Sequence, residues 1–227
     1  MRERQTFPAR IGMIVLLAGL FVAWPAVSRA TILTFEIPGL IDWQEIPGTY
    51  GDNVRSIYDG LGHYEQGAGW TPNITVEYRT FNLSDNSTRT NKLDYWSTGF
   101  GDLEDVAQST SQSFMGEISL VPEAGWSVVL DGFGLGGYGD QLDQIVRIVD
   151  ENYQILVDYS PVDVGGAGHN TFTPGLTHAG TVRIQFGPNW NTGIDNVHFH
   201  QVPEPATLAL VAIGLAVARR RRRRPER

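Results

Sequence analysis

The sequence contains no cysteine. Disulfides, thiolate nucleophiles and thiolate metal sites are therefore excluded. Cations are scarce in the middle of the chain. Of 17 lysines and arginines, only Arg55, Arg79, Arg89, Lys92, Arg147 and Arg183 lie within residues 31–201, against 22 acidic residues there. The interior carries a net charge near −16, which the whole-chain value of −8 conceals. Such a surface repels DNA, RNA and anionic lipid, and it suits a soluble exported domain with an affinity for divalent cations. No ten-residue stretch shows confident helical periodicity. No repeat of ~20–50 residues points to a solenoid or propeller. A Gly-x-Ser-x-Gly elbow is missing, so a hydrolase nucleophile has no local support. No phosphate-cradling glycine loop precedes a helix. Residues 132–139 are glycine-rich but follow a strand pattern, and read as a flexible turn or bulge.

The two ends have organisation of their own. Arg2, Arg4 and Arg10 form a positive region, residues 11–23 an apolar run of 13, and Ser28-Arg29-Ala30 a cleavage site after Ala30. This is the pattern of a secretory signal. As a helix the run reaches ~20 Å, short of the ~30 Å hydrocarbon core of a bilayer. At the other end Val202-Pro203-Glu204-Pro205 reads as a stiff, extended, strand-breaking segment, because proline fixes φ and removes a donor. An apolar run at 206–218 follows, expected to form a short hydrophobic helix, and then six arginines, Arg219 to Arg224. Arginines stay on the cytoplasmic side of a membrane. With the signal's cations also inside, the residues between must face outward. The expected organisation is a signal peptide at 1–30, an exported domain at 31–201 and a sorting tail at 202–227.

The Val-Pro-Glu-Pro motif, short apolar run and terminal arginine cluster closely resemble the PEP-CTERM sorting signal of Gram-negative bacteria. The resemblance covers about 26 residues. It implies a membrane protease-transpeptidase, exosortase, as processing partner, together with the secretion machinery. In that reading Val202, Pro203, Glu204 and Pro205 are substrate, not catalyst. The route is the inner membrane in transit, held by the C-terminal helix before processing, then the cell envelope, surface or extracellular matrix. The motif has also been described as the C-terminal segment of ice-binding proteins; a shared tail says nothing of what the domain itself binds.

The interior reads as β-structure. Strands are expected over 31–37, 73–81, 93–98, 114–121, 126–133, 144–149, 153–159, 181–186 and 194–200, with glycine and proline clusters between them. Residues 140–148 fit a strand or an amphipathic helical turn; the hairpin signal at Asp150-Glu151-Asn152 favours the strand. Nine or ten short strands in this length imply an all-β fold, a two-sheet antiparallel sandwich. The opening Leu33-Thr34-Phe35-Glu36 and the closing Gly193-Ile194-Asp195-Asn196-Val197-His198-Phe199 resemble the jelly rolls of carbohydrate-binding modules. By that resemblance, Glu36 and Asp195 occupy the places where a structural calcium ties first strand to last, with Asp52 and Asp59 able to add oxygens.

For catalysis the residues give little. His198 and His200 share a strand face, but a catalytic zinc needs three ligands. Carboxylate pairs suited to glycoside hydrolysis cannot be picked out among so many acids. Sugar binding needs exposed rings. Trp70, Tyr138 and Trp190 are the stacking candidates, with Tyr64 and Trp43 also in loops; Trp96 and Trp126 are expected in the core. The favoured reading is a non-catalytic surface or matrix protein of unknown ligand, with exopolysaccharide a candidate partner. A carbohydrate-binding module and a secreted polysaccharide hydrolase are the alternatives.

Overall fold

A computed structural model describes residues 29–55 and 67–204. The described chain is all-β, with sixteen strands and no helix. In order these are β1 (Thr31–Leu33), β2 (Val54–Arg55), β3 (Trp70–Thr71), β4 (Ile74–Phe81), β5 (Thr88–Thr90), β6 (Asp94–Trp96), β7 (Val106–Gln108) and β8 (Met115–Pro122). Then come β9 (Trp126–Gly137), β10 (Gln141–Val149), β11 (Ile155–Asp158), β12 (Val162–Val164), β13 (His169–Phe172), β14 (Leu176–His178), β15 (Val182–Gly187) and β16 (Thr192–Pro203).

Two seven-stranded antiparallel sheets form a sandwich-like body. The first runs β13-β9-β16-β7-β6, with β1 on β16 and β14 on β9; the second runs β11-β10-β15-β8-β4-β5, with β12 on β10. The first strand thus pairs with the last, Thr31 opposite Phe199 and Leu33 opposite Val197. The alternation in β4 shows why these segments are strands: Ile74, Val76 and Tyr78 are buried, while Thr75, Glu77 and Arg79 point outward. Period-2 apolar residues from both sheets meet in one core, including Leu130 and Leu135 from the first and Ile118, Ile148 and Ile184 from the second. Each such fully buried side chain contributes about 1.5–3 kcal/mol of transfer free energy.

The sandwich, the placement of the long strands and the strand reading of 140–148 match the sequence expectations. Three details differ. The glycine-rich stretch from Gly132 holds the expected bulge but no turn: its register with β16 shifts at Gly132, and β9 continues to Gly137, paired with β13 on one side and β16 on the other. Missing side chains let other backbone close in: a Cβ on Gly136 would lie 2.1 Å from the Phe100 carbonyl oxygen. Nor does Val202-Pro203 break its strand. Both extend β16, opposite Ser127 and Trp126, and the Glu204 amide donates to the Gly125 carbonyl. Proline's fixed φ suits extended backbone, and a strand's last rung tolerates its missing donor. Trp96 and Trp126 are half-buried rather than central. The helix expected at 206–218, with Pro205 and the signal segment before residue 29, lies outside the described residues. Among the described residues no helix is long and apolar enough to cross a membrane.

Candidate functional site

Four segments distant in sequence deliver five aromatic rings to one end of the first sheet. The loop after β1 runs along β6: the Trp43 and Ile46 amides donate to the Tyr95 and Leu93 carbonyls, and Tyr95 donates back to Gln44. This holds Trp43 at a φ of 70°, a conformation uncommon for a bulky residue and of the kind that clusters at functional sites. Trp96 ends β6. Phe100 sits in the β6–β7 loop and bridges Tyr138, just past β9. Trp190 lies in the tight turn before β16, where the Asn191 amide donates to Asn189 Oδ1 and the Tyr138 amide to the Asn191 carbonyl. Gly99 permits the assembly, because a Cβ there would stand 2.7 Å from the Tyr138 ring.

The rings pack edge to face. Trp43 contacts Trp96 at 4.8 Å and 87°, and Trp190 at 5.1 Å and 66°. Tyr138 meets Trp96 at 6.0 Å and Phe100 at 5.8 Å. They line a notch of about 200 Å³ together with Gln108 and Asn191. Trp43 is 50% and Tyr138 51% exposed, which leaves ring surface for a ligand. Such a site offers stacking faces and a few polar groups, the chemistry of sugar recognition.

Of the three stacking candidates, Tyr138 and Trp190 come together here and Trp70 does not. Trp70 is 45% exposed on β3, opposite Arg55, toward the other end of the sandwich. Trp43 joins the notch, and Tyr64 lies outside the described residues. Trp96, Phe100, Gln108 and Asn191 were not legible as site residues. A strand tryptophan reads as core, and Gln108 gives no local signal beyond alternating with Ala107.

Glu36, just past β1, lies near Asp195, which is paired with Gly134 inside β16. Burial first, then the neighbouring charges of Asp105 and Glu36, pushes the Asp195 carboxyl up to about 8. Its two oxygens accept from the Asn196 amide and side chain at 2.6 and 2.8 Å, which leaves each oxygen a further lone pair. No group of three or more His, Cys, Asp or Glu among the described residues is arranged to hold a metal, so a calcium here would also draw on backbone carbonyls. Asp52 points elsewhere and accepts from the Val76 amide; Asp59 lies outside the described residues. His198 and His200 do share a face, and His200 Nδ1 pairs with Asp131 at 2.7 Å.

A larger groove of about 530 Å³ crosses the outer face of the second sheet, lined by Arg79, Glu117, Ser119, Arg183 and residues of the flanking loops. At its base Glu117 is fully buried. It accepts from Arg79 Nε and Nη2 at 3.0 and 2.8 Å, from Gln185 Nε2 at 2.5 Å and from Arg183 Nη1 at 3.4 Å. Tyr153 covers both arginines, 5.2 and 5.0 Å from their guanidinium carbons.

Comparison with known proteins decides one part of the molecule. Residues 201–224 match the PEP-CTERM protein-sorting motif. The tail is an exosortase sorting signal. The chain is therefore an exported, envelope-sorted protein, and its motif sits half inside the last strand: Val202 and Pro203 are paired, and Glu204 is tied to Gly125. No curated protein matches the chain. Among solved structures it is similar to an isomalto-dextranase of Arthrobacter globiformis T6 complexed with panose, at 11% identity over 61% of this chain and 26% of that one, TM-score 0.29. It is also similar to the enzymatically active domain of bacteriophage CBA120 tailspike protein 4, at 16% identity over 57% and 19%, TM-score 0.25. A third is TmCBM61 in complex with β-1,4-galactotriose, at 14% identity over 58% and 88%, TM-score 0.23. The chain spans about a quarter or less of the first two. At these TM-scores the likenesses carry no argument about function.

Proposed function

We propose that this is a non-catalytic protein of the cell surface or extracellular matrix of a Gram-negative bacterium, holding polysaccharide through the aromatic notch. The observation that carries the reading is the convergence of Trp43, Trp96, Tyr138 and Trp190 on one partly exposed site. The pairing of first strand with last supports the jelly-roll form of the sandwich. The non-catalytic part has support in the carboxylates. Of the carboxylates lining the second-sheet groove, Glu117 is fully buried and spent on two arginines and Gln185, and Asp52 is tied to the Val76 amide. Exosortase and the secretion machinery are the processing partners, with the inner membrane as the route. A structural calcium between Glu36 and Asp195 is the finer part of this proposal; a rise in Tm with calcium that Asp195→Asn abolishes would support it.

The test is affinity electrophoresis of the protein, purified from the envelope in mild detergent, through gels cast with the producing cell's exopolysaccharide. The parent is expected to be retarded, and Trp43→Ala with Tyr138→Ala to run freely with circular dichroism unchanged. Each lost ring removes about 1–2 kcal/mol of contact, roughly a fivefold to thirtyfold loss. A parent that runs freely in every polysaccharide gel sinks the proposal. A binding module with one defined glycan is the second reading, favoured by the single-ring size of the notch.

A further inference from the structure

One group in the notch has no role in the sandwich. Gln108 lies on β7, opposite Asp94 on one side and Gly193 on the other. Its side chain lines the notch, the residue is only 2% exposed, and its Nε2 donor has no hydrogen-bond partner. A buried donor left unmade costs about 1–3 kcal/mol, and few survive in native proteins. A leucine or methionine would fill the same space without that penalty. The amide is therefore better explained by something that enters the notch than by the fold.

Size and wall orientation narrow what enters. At about 200 Å³ the notch is smaller than the ~300–1,000 Å³ of pockets for drug-sized ligands; it houses one sugar ring, not two. Its walls also stand across one another, Trp43 at 87° to Trp96 and at 66° to Trp190. A glycan lying flat along a surface needs ring faces in one plane. Crossed walls instead enclose a single ring and leave the remaining chain outside.

Charge narrows it again. Aromatic walls on an acidic domain would suit a quaternary ammonium through cation–π attraction. A carboxamide at the buried end suits hydroxyls, which both donate and accept, better than a quaternary ammonium, which does neither. Among the described residues no lysine or arginine lines the notch, so a uronate would find no ion pair.

Resting on the glycan-holding reading above, we infer that the notch captures the terminal ring of a neutral glycan, with the Gln108 carboxamide turning to hydrogen-bond a hydroxyl at the buried end. Recognition is of chain ends rather than chain interiors.

The envelope-purified protein, followed by tryptophan fluorescence, is titrated with methyl glycosides of glucose, galactose, mannose and xylose in both anomers. Linear di- to tetrasaccharides ending in each sugar, and choline chloride, are titrated alongside. At least one methyl glycoside is expected to bind, and its longer homologues to bind within about threefold of it. Gln108→Leu is expected to weaken that binding roughly tenfold or more with Tm unchanged or raised, because the orphan donor is gone; Gln108→Met serves if the leucine variant does not fold. The inference is overturned if affinity climbs about tenfold with each added sugar, if both Gln108 variants bind like the parent, if choline binds better than every glycoside, or if no methyl glycoside binds. In the last case, retention on exopolysaccharide that still depends on Trp43 leaves the broader proposal standing. Loss of that retention as well removes both.

Discussion

Two grooves of this domain, the notch and the one across the second sheet, are built on opposite terms. The groove on the second sheet is the larger, yet the carboxylate at its base is closed, with Glu117 held by Arg79, Arg183 and Gln185 and roofed by Tyr153. The notch on the first sheet is smaller and apolar, and it leaves a buried donor open at Gln108. Arg183 Nε, in the larger groove, also lacks a partner, but its guanidinium is anchored through Nη1 on Glu117 and Ser119, whereas among the described residues no side-chain bond anchors Gln108.

The largest expected effect breaks the first half of this contrast. Glu117→Ala strands two guanidinium groups beneath Tyr153, and removing one partner of a buried pair costs about 3–5 kcal/mol. Urea denaturation should show that loss, while any folded fraction keeps its retention on polysaccharide gels. Loss of retention with full stability would reverse the roles of the two grooves.

Asp195 tests the middle ground, being buried like Glu117 but without a cation. Its carboxyl ordinarily titrates near 3.8 and in the fold is held near 8. Between those values the folded chain binds the extra proton, so the contribution of Asp195 to stability is full below about pH 4 and is lost as pH rises toward 8. The loss is on the order of a few kcal/mol. Asp195→Asn keeps an acceptor for the Asn196 amide and should flatten that part of the Tm–pH curve. An unchanged slope would show that the carboxyl is already charged and compensated.

The smallest effect is expected at Trp70, which the sequence offered on the same footing as Tyr138 and Trp190. It sits on β3, away from the notch, so Trp70→Ala should leave retention within about twofold of the parent. A large loss would place a second ring platform near β3.

What the sequence made legible was contiguous or periodic. The tail motif occupies adjacent residues, and the alternation of Ile74, Val76 and Tyr78 declares its strand face. Tyr138, Trp190 and Trp43 were legible as candidate rings, but not their convergence with Trp96, which comes only through the pairing of β6, β9 and β16. The glycines of β9 misled because a missing Cβ is as useful for letting another backbone approach as for turning a chain, and only the packing of Phe100 tells which. Gln108 could not be found at all, since an unsatisfied donor is a property of surroundings.

β9 and β16 run antiparallel for their whole length, twelve residues each. One end of that ribbon carries Tyr138 and Trp190; the other carries Trp126, Pro203 and Glu204. Only Pro205 separates Glu204 from the apolar run that starts at Ala206. The ribbon therefore acts as a spacer of fixed length, setting the notch on the order of 35 Å from Glu204 at ~3.3 Å per residue.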